Sequence, residues 1–124
     1  VLKDVNMKSR ILVCGGRDFF DGVQLKVVLD NHRKYFDKDF CIIHGGARGA
    51  DSLAGEWAKE NGIPEIIMPA SWGFHGKRAG TLRNKWMIDY CKPDLVIAFK
   101  GGIGTARMVQ FAKESNIDVY EVKF

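Results

Sequence analysis

The sequence predicts a three-layer α/β domain on a mostly parallel sheet of about five strands. Three observations carry that expectation. Apolar runs alternate with helix-spaced stretches along the chain, with no linker or low-complexity stretch between them. The runs are apolar nearly throughout rather than alternating, as expected of parallel strands covered on both faces. Three of them end in glycine turns: Ile11-Leu12-Val13 leads into Cys14-Gly15-Gly16-Arg17-Asp18, Cys41-Ile42-Ile43 into His44-Gly45-Gly46-Ala47-Arg48-Gly49-Ala50-Asp51, and Leu95 to Phe99 into Gly101-Gly102-Ile103-Gly104-Thr105. Right-handed crossovers then give the strand order 3-2-1-4-5, with the first and fourth strands side by side at the topological switch point.

The first strand is expected at about residues 10–15. Asp21 offers an N-cap with Gln24 at the capping-box position, and Leu25, Val28, Leu29 and Phe36 follow at helical spacing, predicting a helix over about 22–35. The second strand is placed at about 39–44. After its glycine loop Asp51 is read as an N-cap, and Leu53, Ala54, Trp57 and Ala58 form the buried stripe of a helix that Asn61-Gly62 and Pro64 stop. Ile66-Ile67-Met68 is the third strand. Residues 71–80 have no usable periodicity, and from Thr81 onward Leu82, Trp86 and Tyr90 sit at helical spacing. The fourth strand is Leu95 to Phe99. Thr105 is read as the cap of a last helix with Met108, Phe111 and Ala112 inward, before a fifth strand from Ile117 to Val122.

Composition excludes several classes. A chain of 124 residues, 46% hydrophobic, is the size of one domain and can bury a core. Residues 10–124 are taken as that domain. Residues 1–9 are set aside as a leader from an upstream start or a cloning remnant, Met7 being a start candidate just before the first strand. No apolar stretch approaches the length of a bilayer span and no signal-peptide pattern opens the chain, so a cytoplasmic protein without a membrane partner is expected. Three cysteines without a C-x-x-C pair read as small core residues, and no clustered His/Cys/Asp set suggests a metal.

A strand that runs into Gly-Gly and then a helix presents free backbone N–H groups and the positive end of a helix dipole, which together bind anions. Three such tips on one sheet edge suggest a site for a phosphorylated ligand. The formal charge of +4 comes without a lysine/arginine block. Arg17, Arg48, Lys77, Arg78, Arg83 and Lys100 nevertheless all fall in or beside loops that follow strands, a placement suited to an anion. None of the loops has the G-x-G-x-x-G or G-x-x-x-x-G-K-[ST] spacing, which disfavours standard NAD binding and P-loop NTPase activity.

Gly15-Gly16-Arg17-Asp18-Phe19, His44 to Asp51, Ala79 to Met87 and Gly101 to Thr105 resemble the signatures of the YspA-type branch of the SLOG superfamily, and the resemblance covers nearly the whole chain from Ile11 onward. It implies a Rossmann-like fold, nucleotide-derived ligands and a homo-oligomer; no cofactor is expected. The superfamily includes the LOG phosphoribohydrolases, the DNA-processing protein DprA and nucleotide-signal sensors. The LOG motif P-G-G-x-G-T-x-x-E is similar to Lys100 to Met108: Gly101, Gly102, Gly104 and Thr105 match, while Lys100 replaces the proline and Met108 the glutamate. In E-R-K-x-x-M, Arg83 and Met87 match, while Leu82 replaces the glutamate and Asn84 the lysine. The phosphate-cradling positions are kept and the carboxylates are not. N-glycosidic cleavage needs charge beside a developing oxocarbenium ion.

The expected phosphate and sugar site comprises Gly15, Gly16, Arg17 and Asp18; Gly45, Gly46, Arg48 and Asp51; Lys77, Arg83 and Asn84; and Gly101, Gly102, Gly104 and Thr105. Arg83, read as lying in the first turn of its helix, is explained better by an anion than by helix stability. Asp51 is a cap or a ribose partner, and His44 a structural residue or a base. His75, with Trp72 and Phe74, closes over a base or only buries its loop. Three functions remain. The first is a sensor or sequestering protein for a nucleotide-derived small molecule. The second is a nucleoside-monophosphate phosphoribohydrolase or related N-glycosidase, with Arg83 holding the phosphate and Asp18 or Asp51 acting on the sugar. The third is a DprA-like nucleic-acid-binding module, for which the basic pI of about 9.0 is the independent support.

Overall fold

The computed structural model describes residues 7–70 and 79–123. Its elements are β1 (Lys8–Cys14), α1 (Gly22–His32), a 3-10 turn (Arg33–Tyr35), β2 (Phe36–His44), α2 (Ala50–Glu60), β3 (Glu65–Ile67), α3 (Ala79–Cys91), β4 (Leu95–Ala98), α4 (Ile103–Glu114) and β5 (Asp118–Glu121). The five strands form one sheet in the order β3-β2-β1-β4-β5, and every pairing is parallel. This is the predicted topology.

Successive strand residues point to opposite faces, so β1 serves two cores. Ile11 and Val13 meet Leu25 and Leu29 of α1 and Ala54 and Trp57 of α2. Leu12 and Cys14 face Met87 and Ile88 of α3 and Met108 and Ala112 of α4. Each fully buried Leu, Ile or Met contributes about 1.5–3 kcal/mol, and the central strands β1, β2 and β4 hold most of them. No described helix is long and apolar enough to cross a membrane.

Asp21 caps α1 as expected, its Oδ1 accepting from the Gln24 amide at 2.9 Å. Asn61 ends α2, and Gly62 follows at φ +65°, a conformation that favours glycine. Phe36, assigned from its spacing to the first helix, instead opens β2, because the 3-10 turn ends the helical path at Tyr35. Two expected caps are displaced. Gly49 is the N-cap of α2 and Asp51 lies inside its first turn, while Gly102 is the N-cap of α4 and Thr105 lies inside it.

The inward face of α3 also differs from the spacing of Leu82, Trp86 and Tyr90. Ala79, Asn84, Met87 and Ile88 are buried, and Tyr90 is 75% exposed. Apolar groups occur nearly all round this helix, so periodicity alone could not choose its face. Lys77, with Trp72, Phe74 and His75, lies outside the described residues. The free thiols Cys14, Cys41 and Cys91 pack on the α3/α4 face of the sheet.

Candidate functional site

The parallel register of β1 and β4 pairs Cys14 with Ala98, so the turns that follow, Gly15-Gly16 and Gly101-Gly102, leave the sheet side by side. The Gly16 amide donates to the Lys100 carbonyl at 2.9 Å. The second loop joins them, the Ala50 amide donating to the Gly16 carbonyl at 3.2 Å. Several glycines are required by this contact between loops. A β-carbon on Gly15 would stand 2.6 Å from the Ala50 β-carbon, and one on Gly16 would stand 3.1 Å from the α-carbon of Gly101. Gly49, at φ +82°, lies against the carbonyls of Gly16 and Arg17. Gly101 lies against the Thr105 side chain, and Gly45 makes room for the Arg83 guanidinium.

Gly102 and Gly104 differ. A β-carbon on either would meet nothing within 4 Å, and neither has a positive φ. Both are exposed at the N-terminus of α4, where the first amides have no intrahelical acceptor and no side-chain cap is made by the N-cap residue.

That helix end borders a cleft of about 430 Å³ between the β1 turn, the second loop and α3. Gly15, Gly16, Asp51, Arg83, Gly102 and Thr105 are among its walls, and Met87 and Met108 close its base. Asp51 and Arg83 supply its charge. The Asp51 side chain is buried, and its Oδ2 accepts from the Ala47 amide at 3.1 Å. Burial pushes its carboxyl above the ordinary carboxylate value, against the opposing pull of the Ala47 amide, Arg83, His44 and the Gly45 amide. Burial likewise lowers Arg83, whose charge Asp51 supports and Arg17 opposes.

Arg83 lies at least one turn into α3, not in its first turn, since the helix is already formed at Ala79. Its Nη1 donates to the Gly45 carbonyl at 2.8 Å and to the Met68 carbonyl at 3.4 Å, and its Nε to Asn84 Oδ1 at 2.8 Å. Asn84 Nδ2 in turn donates to the Gly104 carbonyl at 3.3 Å. A chain of bonds thus runs from the second glycine loop through Arg83 and Asn84 to the first turn of α4. This arrangement holds a cation and a row of amides around one cleft, with a carboxylate beside them, and is suited to a phosphorylated sugar.

The remaining expected residues divide. Arg17 borders the same cleft. Asp18 and Arg48 stand exposed, paired at 3.3 Å, and neither lines it. Gly46, at φ +72°, donates its amide to His44 Nδ1 at 3.0 Å, while His44 Nε2 bonds Glu65 Oε1 at 2.8 Å. Both ring nitrogens of His44 are therefore occupied, Nδ1 in holding the loop and Nε2 in tying β2 to β3, which is the structural one of its two readings. The Ser52 hydroxyl donates to the Ala47 carbonyl at 2.8 Å. Thr81, Met87 and Met108 line the cleft without having been singled out as its walls. All three stood within the quoted motifs, which was the signal that could have found them. Among the described residues no group of His, Cys, Asp and Glu is arranged to hold a metal.

An all-parallel, doubly wound domain with its clefts at the β1/β4 switch point belongs to the class of α/β proteins that hold ligands at the carboxyl edge of the sheet. The chain belongs, more particularly, to the YspA, cpYpsA-related SLOG family, whose model matches residues 9–75. It is 34% identical over 118 residues to the Gene 61 protein of Mycobacterium phage D29, covering 89% of this chain and 93% of that protein. Among solved structures it is similar to the C-terminal domain of a hydrogenase from Pyrococcus furiosus, with a TM-score of 0.56, 16% identity and 98% of each chain covered. That likeness is one of fold. Family membership points to nucleotide-related ligands in general.

Proposed function

We propose that this protein binds a nucleotide or nucleotide-derived small molecule, with phosphate over the first turn of α4 and the sugar between Asp51 and Arg83, and acts as a sensor or sequestering protein. The observation that carries the reading is the pair Gly102 and Gly104. Glycine inside a helix costs roughly 1 kcal/mol relative to alanine, a cost that falls on Gly104, whereas Gly102 is the N-cap, where glycine is favoured over alanine. Neither packing nor a positive φ accounts for Gly104, and no packing contact requires Gly102. Close approach of a ligand to the helix amides does account for them, since a β-carbon at either position would intrude on the anion. The test is a mass spectrum of small molecules released from the purified protein, repeated on Gly102→Asp. A phosphorylated nucleoside derivative present in the wild type and absent from the folded variant is expected. Equal amounts in both would remove the site.

A hydrolytic reading draws on Asp51. This carboxylate lines the cleft beside Arg83, although the positions of Leu82 and Met108 lack the glutamates of the LOG motifs. Met108 is 1% exposed in the α3/α4 core, so no carboxylate fits there without a burial cost. Binding without turnover is expected. Repeated release of free base from AMP or another monophosphate, lost in Asp51→Asn, would put the enzyme first.

A further inference from the structure

A second cleft, of about 1000 Å³, lies on the opposite side of the Gly16/Gly102 ridge, between the start of α1 and the carboxyl ends of β4 and β5. Its floor is aromatic. Phe19 and Phe99 are 8% and 2% exposed, with ring centroids 5.2 Å apart. Phe20 stands on its rim 68% exposed, and Gln24 and Lys100 line it nearby. Single exposed apolar side chains are common on protein surfaces. Phe20 differs from Val23, Tyr90 and Ile103, which are exposed elsewhere, in that it lines a concave site next to a buried aromatic pair.

The two clefts share a wall. Gly16, Arg17, Gly102 and Thr105 line both. A molecule held by phosphate over the first turn of α4 can therefore reach to either side of the ridge. The smaller cleft offers Asp51, Arg83 and Asn84, groups suited to phosphate and sugar hydroxyls. The larger offers the exposed ring of Phe20, on which a base stacks, and the primary amide of Gln24, which both donates to and accepts from a base edge.

We propose that the Phe19–Phe20–Phe99 cleft is the base subsite of the nucleotide ligand, with Phe20 as the stacking ring and Gln24 as the residue that reads the base edge. The inference rests on the phosphate reading given above. Sugar and phosphate fall on one side of the ridge and the planar base on the other. Affinity then has two separable parts, one set by α4 and Arg83 and the other by Phe20.

The probes are the four common nucleoside monophosphates and ribose 5-phosphate, which lacks the base, titrated by calorimetry. At least one monophosphate is expected to bind the wild type more tightly than ribose 5-phosphate. Phe20→Ala should cut that ratio roughly 10-fold, the scale of one lost base–aromatic stack, and Phe20→Trp should restore it. Gln24→Ala should narrow the differences among the four monophosphates. Gly102→Asp should weaken monophosphates and ribose 5-phosphate alike. An unchanged ratio in Phe20→Ala, with Gly102→Asp still weakening every probe, overturns the base subsite and leaves the phosphate reading standing. Equal affinity of the wild type for ribose 5-phosphate and all four monophosphates does the same. Failure of every probe to bind the wild type at millimolar concentration overturns both.

Discussion

Gly49 is held against Gly16: its backbone, at φ +82°, lies on the Gly16 carbonyl, and the neighbouring Ala50 amide donates to that same oxygen at 3.2 Å. The first two glycine loops are thus one mechanical unit. A side chain at position 49 meets both a left-handed backbone conformation and the backbone of residues 16 and 17. Gly49→Ala is expected to destabilise the protein by about 2–4 kcal/mol, the range of backbone strain combined with overpacking. Urea unfolding measures this, and a loss under about 0.5 kcal/mol would mean the loops are not in contact.

Gly104 gives the opposite expectation. Alanine there meets open space inside a helix, so Gly104→Ala should stabilise the free protein by roughly 0.5–1 kcal/mol. It should also weaken ligand binding, because the added methyl stands over the amides that hold phosphate. A variant that gains stability and keeps full affinity for the co-purified ligand would remove the reason offered for this glycine.

Arg83 has two duties in this structure. Its bonds to the Gly45 and Met68 carbonyls tie the second loop to α3, so Arg83→Ala should cost about 1–3 kcal/mol of stability as well as affinity. Lysine retains the charge without the fork, and Arg83→Lys should recover only part of either. Thermal melts with and without ligand separate the two effects. Unchanged melting of free Arg83→Ala would show that those carbonyl bonds contribute nothing to the fold.

Asp51 predicts a pH dependence. Burial raises its carboxyl above the ordinary value of 3.8, so the folded state favours the protonated form. Its contribution to stability is complete below that ordinary value and is lost as pH rises through the higher folded one. Asp51→Asn should remove this loss, giving a flatter stability profile from acid to neutral pH and a free protein at least as stable at neutrality. Ligand affinity should fall in the same variant if the carboxylate holds the sugar. A wild-type profile that Asp51→Asn leaves unchanged would contradict this account.

Much of the architecture was legible in the chain because it follows from short-range chemistry. The apolar runs around Ile11, Ile42 and Val96 allow only buried parallel strands, and right-handed crossovers then order the sheet. Asp21 capped its helix because a cap needs only the next turn. The three glycine loops were visible for the same reason.

Tertiary contacts decided the purpose of each glycine. Gly15, Gly16, Gly49 and Gly101 are small because neighbouring loops touch them, whereas Gly102 and Gly104 face open space, and no local pattern distinguishes the two groups. Asp51 and Thr105 lie inside their helices because Gly49 and Gly102 occupy the N-cap positions, Gly49 through its contact with the backbone of Gly16 and Arg17. The face of α3 followed the sheet beneath it rather than its own spacing, burying Asn84 and Met87 and exposing Tyr90. The chain's local chemistry determined where strands end and helices begin. Which side chains meet across those ends, and therefore the shape of the clefts, was decided by packing between segments far apart in sequence.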